Sequence, residues 1–228
     1  MKVTHVIFDF DGLLVDTEPC VKIVHTKLLS RYDRVYTPEI ASHVMGRKEV
    51  ESISWLLKEL KIADKITPEQ YMNEYDSMLT EMYRHCKAMP GAERLVRHFH
   101  KKGIPSAICS GSRKSMYGPR REPHKEWLDL IPLQVFCGDE PNIKRGKPYP
   151  DGFLATMDRF PVKPSDPSNV LVFEDSPNGG RAAKAAGMKC VMVPNEKHRE
   201  EAMQINVTKL LNSLEEFCPE EFGLPAFD

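Results

Sequence analysis

Short apolar runs alternate with amphipathic stretches along most of the chain. Residues 2–8 are mostly β-formers and stop at Asp9-Phe10-Asp11-Gly12. Similar runs recur at 104–110 (IPSAICS), 133–138 (LQVFCG), 169–173 (NVLVF) and 189–193 (KCVMV). A short, nearly continuous apolar run is what a parallel strand covered on both faces requires. Between the runs lie helical patterns. Residues 91–102 place Leu95, Val96 and Phe99 on one side and stop before Gly103; the Ala-rich stretch 178–186 stops before Gly187. A glycine just past the last periodic residue is a helix stop. Strand and helix in alternation predict an α/β fold with a parallel sheet.

Residues 17–85 break this rhythm. They hold no strand-like run, and their periodicity predicts helices near 20–31, 48–60 and 68–84. Pro38 and Pro68 stand where helices start, each after a threonine that caps. Pro90-Gly91 reads as the return into the α/β pattern. The expectation is a helical insert between the first strand and the rest of the sheet. The tail, 219–228, shows no period.

Composition narrows the function classes. Lys and Arg total 32 against 33 Asp and Glu, a formal charge of −1, so the basic face a nucleic-acid polymer demands is not indicated. Apolar residues make up 41% of the 228, which argues for a packed core rather than disorder. The six cysteines are spread without a CxxC pair, unlike a zinc knuckle or a disulfide scaffold. Reduced thiols and a cytoplasmic protein are expected. The apolar start, Val6 to Phe8, is too short for a secretory signal. No stretch reaches the roughly 18 apolar residues of a membrane span.

The chemistry-bearing residues cluster at the ends of the strands. The first run ends at Asp9 and Asp11, the second at Ser110-Gly111-Ser112, the fourth at Glu174-Asp175. Ligands of open parallel sheets bind beyond these carboxyl ends. Strand side chains alternate faces, so Asp9 and Asp11 fall on one side. Alone, Asp11-Gly12 reads as an ordinary turn. Lys147 alone reads as a solvated loop lysine. Other signals are set aside: 138–147 has the wrong spacing for a P-loop, and Pro148 stands where a P-loop has Ser or Thr. His98 and His100 on a helix, Cys109 in a strand, and Trp55 and Trp127 read as packing or surface residues.

Together these segments resemble the haloacid dehalogenase superfamily, in its phosphatase branch. DFDGLLVDTE (9–18) is similar to the first motif, DxDGT, with Leu13 in place of threonine as in many helical-cap members. AICSGS at Ser110 resembles the second motif, GKPYPDGF at Lys147 the third, and VFEDSPNG at Glu174 and Asp175 the fourth. The four stand in the family's order around a helical insert. VMGRKEVE (44–51), MPGAERL (89–95) and FGLPAFD (222–228) extend the resemblance to the animal pseudouridine-5′-phosphatase branch; it is weakest at 113–123, on the rim of the site.

The resemblance implies a Rossmann-like three-layer core, residues 1–16 and 88–228, with a helical cap at 17–87. It implies Asp9 as the nucleophile toward phosphorus and Asp11 as general acid and then base. Mg²⁺ would be held by Asp9, the backbone carbonyl of Asp11, and Asp175, with Glu174 bound directly or through water. Ser110, the Gly111 amide and Lys147 would hold the phosphate. In the cap, Glu18, Gly46, Arg47 and Lys48 are candidates for contact with the leaving group, with surface charge as the competing reading for Arg47 and Lys48. The expected substrate is a small phosphomonoester, pseudouridine 5′-phosphate first, with glycerol 3-phosphate or a sugar phosphate as alternative. A phosphomutase shares the four motifs, and a non-catalytic phosphate binder is the remaining class. No polymer or membrane partner is expected, and the chain is expected to be a monomer.

Overall fold

A computed structural model describes residues 2–228; Met1, the first residue assigned to the core, lies outside them. Six strands form one parallel sheet: β1 His5–Phe8, β2 Ser106–Ser110, β3 Leu133–Phe136, β4 Val170–Glu174, β5 Lys189–Met192 and β6 Lys209–Leu210. Their order is β3-β2-β1-β4-β5-β6, so β1 is central and the chain winds outward in both directions from it. Every expected apolar run is a strand. β6 was not expected, because two half-buried residues carry no period.

Side-chain alternation splits the core into two layers. On one face Val6, Phe8, Ile108, Leu171 and Phe173 join a large apolar cluster. On the other Ile7, Ala107, Cys109, Val170 and Val172 join a second. Helices α5 (Ala92–Lys101) and α7 (Lys125–Leu128) supply Leu95, Phe99, Trp127 and Leu128 to the first layer. Helices α8 (Asp151–Asp158), α9 (Pro177–Ala185) and α10 (Arg199–Ile205) cover the second with Phe153, Ala182, Ala183 and Ala202. The rings of Phe8, Phe99, Phe173 and Phe217 meet at centroid distances of 4.8–6.3 Å, the range in which aromatic pairs add to plain burial. The tail, which showed no period, adds a 3₁₀ turn at Pro219–Phe222 and seats Phe222 and Leu224 in this layer.

The insert holds α1 (Glu18–Ser30), α2 (Pro38–Val44), α3 (Glu49–Glu59) and α4 (Pro68–Tyr83). Thr37 caps α2 by accepting from the Ile40 amide, and Thr67 forms a reciprocal capping box with Gln70. The two chain segments that join insert to sheet run side by side. Asp16 N donates to Lys87 O at 2.9 Å and Met89 N to Leu14 O at 2.9 Å, around a Val15–Ala88 bridge. A short helix, α6 (Tyr117–Arg121), follows β2 and packs on α4. No described helix is long and apolar enough to cross a membrane.

The insert has its own polar centre in His25. Its ring lies among Tyr36, Tyr71 and Tyr75, and its Nδ1 shares a 2.8 Å hydrogen bond with the Tyr71 hydroxyl. Burial lowers its pKa to about 3. An unfolded chain would take up that proton near pH 6.5 while the folded one refuses it, so stability falls as pH drops between these values. The slope reaches at most about 1.4 kcal/mol per pH unit. We expect chemical denaturation between pH 7 and pH 4 to show this loss, and His25→Gln to flatten it; an unchanged slope in the variant would rule out His25 as its source.

Candidate active site

The site lies at the carboxyl ends of the central strands, where four loops converge. Asp9 follows β1, with its amide donating to Phe173 O at 2.9 Å. Ser110 ends β2, Glu174 ends β4, and Asp175 follows it. Lys147 enters from the loop between β3 and α8. Its ammonium lies 2.5 Å from Asp9 Oδ1 and 2.5 Å from Glu174 Oε1, buried above the Phe153 ring. Segments 138 residues apart thus meet in one ion pair.

Charge balance governs this cluster. Asp9, Glu174 and Asp175 are buried, and each offers an oxygen within 4.8 Å of the others. Burial pushes the Asp9 carboxyl well above the ordinary range; Lys147 opposes the shift, and Glu174 and Asp11 reinforce it. Asp175 is raised by burial and then by repulsion from Asp9 and Glu174. Burial works against the charge on Lys147, but Asp9 and Glu174 outweigh it and keep the ammonium protonated. One ammonium among several carboxylates leaves negative charge in surplus. A hard divalent cation with oxygen ligands answers that surplus, so the residues present fit Mg²⁺.

Glu174 differs from its neighbours in how it is held. Its Oε2 accepts from the amides of Asp175 and Ser176 at 3.0 and 3.1 Å and from Ser176 Oγ at 3.0 Å. Gly179 closes the space behind it, where a Cβ would overlap the Glu174 carboxylate. No hydrogen bond among the described residues holds the Asp175 side chain.

Asp11 sits beside this cluster, about one third exposed. Its Oδ2 accepts from Ser110 Oγ at 3.2 Å, and its Oδ1 from Thr17 Oγ1 at 3.1 Å and from the Arg120 guanidinium. Ser110 Oγ also pairs with Ser112 Oγ at 2.8 Å and accepts from the Ser112 amide at 3.1 Å. Arg120 was not among the expected residues. It comes from α6, inside the stretch 113–123 where the sequence departs most from the motifs.

The insert closes over these groups. A Cβ on Gly111 would strike the Arg47 carbonyl, and one on Gly46 would lie 2.5 Å from Ser176 Oγ, so both contacts are built on glycine. Gly46 also has φ +74°, which favours glycine. Arg113 bridges to Glu49 at 2.7 Å and Asp76 at 2.5 Å, linking the loop after β2 to α3 and α4. Beneath lies a cavity of about 160 Å³ lined by Asp9, Asp11, Gly111 and Arg120 below and by Glu18, Gly46, Arg47, His25, Tyr36 and Ile53 above. Arg47 Nε is buried with no hydrogen-bond partner among the described residues. Lys48 is not in the lining: its ammonium donates to Ile143 O at 2.9 Å and its stem lies against Gly146. Glu18 is engaged on both oxygens: Oε2 accepts from Asn195 Nδ2 at 3.0 Å, and Oε1 lies 3.5 Å from the Lys197 ammonium.

A parallel sheet with this constellation at its strand tips defines an enzyme class, and the chain belongs to the haloacid dehalogenase-like hydrolases, whose family model matches residues 3–187. It is a phosphomonoester hydrolase of that family. Among its relatives, "(DL)-glycerol-3-phosphatase 1, mitochondrial" of Arabidopsis thaliana is 44% identical over 99% of this chain and 75% of its own length. "Probable pseudouridine-5′-phosphatase" of Drosophila melanogaster is 38% identical over 99% of this chain and 96% of its own. The solved structure of CbbY from Rhodobacter sphaeroides in complex with phosphate has the same fold, with TM-score 0.79, 20% identity, and coverage of 94% of this chain and 96% of that one.

The packing behind Glu174 yields a direct expectation. Gly179→Ala forces a methyl group into its carboxylate, an overpacking that costs about 1–3 kcal/mol. Thermal unfolding should drop by several degrees and phosphate release should fall with it. An unshifted melting temperature would show that the cluster has slack.

Proposed function

We propose that the chain is a Mg²⁺-dependent phosphomonoesterase working through an aspartyl-phosphate on Asp9. The convergence of Asp11, Ser110, Lys147 and Asp175 on Asp9 carries this reading. In it, an Asp9 oxygen attacks phosphorus as the bond to the leaving alcohol breaks, which divides one hard displacement into two easier ones. Asp11 gives its proton to the departing oxygen, then takes one from the water that cleaves the aspartyl-phosphate. Ser110 Oγ and the Gly111 amide donate to phosphate oxygens, and Lys147 balances their charge while holding Asp9. Asp9, the backbone carbonyl of Asp11, and Asp175 would hold Mg²⁺, with Glu174 direct or through water. When bound, the ion supplies positive charge against phosphate and carboxylates.

Residues 17–87 serve as the cap domain in this reading, and 1–16 with 88–228 as the core. The cap excludes water and selects the leaving group. Arg47 is its strongest contact candidate, because its buried Nε has no hydrogen-bond partner among the described residues. Gly46 and Glu18 line the same cavity, and Lys48 drops to a tether on the loop at Ile143. Six free thiols fit a reducing compartment such as the cytoplasm.

For the leaving group we assign pseudouridine. The upper wall, with His25, Tyr36, Tyr75, Ile53 and Leu56, offers apolar and aromatic faces to a flat ring. Glycerol 3-phosphate is the second reading. It is favoured by the 44% identity to the plant enzyme and by a cavity of about 160 Å³, below the roughly 300–1,000 Å³ of pockets for larger ligands.

Phosphate release, with Mg²⁺ and with chelator, over pseudouridine 5′-phosphate, uridine 5′-phosphate, glycerol 3-phosphate and sugar phosphates tests these readings. Turnover should require Mg²⁺ and should vanish in folded Asp9→Asn; hydrolysis retained by that variant would remove Asp9 as nucleophile. Preference for pseudouridine over uridine phosphate supports the first leaving group, and preference for glycerol 3-phosphate the second. Arg47→Ala should alter the ranking of substrates; an equal loss on all of them would place Arg47 on the phosphate instead.

A further inference from the structure

Arg120 is a fully buried cation on the floor of the site. Every nitrogen of its guanidinium is engaged. Nε donates to Met116 O at 2.8 Å, Nη2 to Ser112 Oγ at 2.8 Å, and Nη1 to Asp11 Oδ1. The guanidinium carbon lies over the rings of Phe10, 5.2 Å from its centre, and Tyr83, 5.1 Å from its centre. Phe10 lies between Asp9 and Asp11, whereas Tyr83 ends α4 of the insert. The guanidinium therefore has one position, fixed by its contact with two rings and by three acceptors, one on each nitrogen.

That fixed group divides the two oxygens of Asp11. Oδ1 is taken by Arg120 and by Thr17 Oγ1. Oδ2 accepts one longer bond, 3.2 Å, from Ser110 Oγ, the hydroxyl read as a phosphate donor. We propose that Arg120 is a positioning residue for proton transfer: it pins Oδ1 so that Oδ2 is the oxygen presented to the leaving-group oxygen. The inference rests on Asp11 as the general acid and deepens that reading. In the transfer, the Oδ2–H bond breaks and an O–H bond forms on the departing alcohol as the P–O bond cleaves. Arg120 keeps its own protons throughout. A lysine in its place supplies charge without the planar fork that holds Oδ1, Ser112 and the Met116 carbonyl together.

The dependence of rate on the leaving group separates positioning from general support. An alkyl phosphate needs its departing oxygen protonated, whereas p-nitrophenyl phosphate releases a stable anion. The quantity to compare is kcat/KM, which covers the steps up to departure of the leaving group and omits hydrolysis of the phospho-enzyme. Glycerol 3-phosphate, or whichever alkyl ester the wild type takes, is paired with p-nitrophenyl phosphate at saturating Mg²⁺. Arg120→Met should lose at least tenfold more on the alkyl ester than on the aryl ester. Arg120→Lys should fold and fall between, recovering part of the difference. If Arg120→Met does not fold, the Arg120→Lys ratio decides. Equal losses on both esters in the folded variants would overturn the inference and leave Arg120 a structural ion pair. Asp11→Asn, measured alongside, should show the same selective loss on the alkyl ester. If it keeps both rates, the assignment of Asp11 fails and the inference with it; if it shows the selective loss and the Arg120 variants do not, only the inference fails.

Discussion

The ammonium of Lys147, buried between Asp9 and Glu174, is the contact on which the site depends. It brings the loop before α8 to the tips of β1 and β4, and all three side chains are buried there. Taking an ion pair out of water costs several kcal/mol per ion unless the geometry and further hydrogen bonds offset it. The offset is visible. Glu174 has four donors around it, including two backbone amides that lead into α9. Gly179 gives that helix room to come so close. The local backbone is thus shaped around a charge, and the charge is set for a reaction that brings in more of the same sign.

Much of this was readable from the residues. The apolar runs named every strand but the last, and their polar ends named Asp9, Asp11, Ser110, Glu174 and Asp175. Those signals are strong because a strand buried on both faces tolerates no polar residue until it leaves the sheet. The threonine–proline pairs marked two helix starts for an equally local reason. Strand bounds were less legible: the run at 104–110 begins its pairing only at Ser106, after Pro105, which has no amide to give.

Other features depend on where side chains go after the chain has folded. Arg47 and Lys48 are adjacent and both basic, yet one lines the cavity and the other is tied to the Ile143 carbonyl across the cleft. Arg120 lies in the segment with the least similarity to the motifs, in a run of basic residues that looks like solvated surface. Only the meeting of α6 with α4 and the first loop makes it a buried partner of Asp11. His25 belongs to the same group: a single histidine on a helix gives no sign of the three tyrosines that surround it from α4 and the segment before α2.

The paired chain segments at Val15 and Ala88 have a consequence for how such molecules diversify. Because the insert leaves and rejoins the sheet at neighbouring points, its ends are already closed by backbone hydrogen bonds. The entropy of spanning that closed loop grows only with the logarithm of its length, about 0.6 kcal/mol for each doubling. Helices can be lengthened, shortened or exchanged above the bridge without disturbing the order or register of the strands below. The strand-tip cluster and the insert above it therefore lie in stretches of chain that can change at different rates.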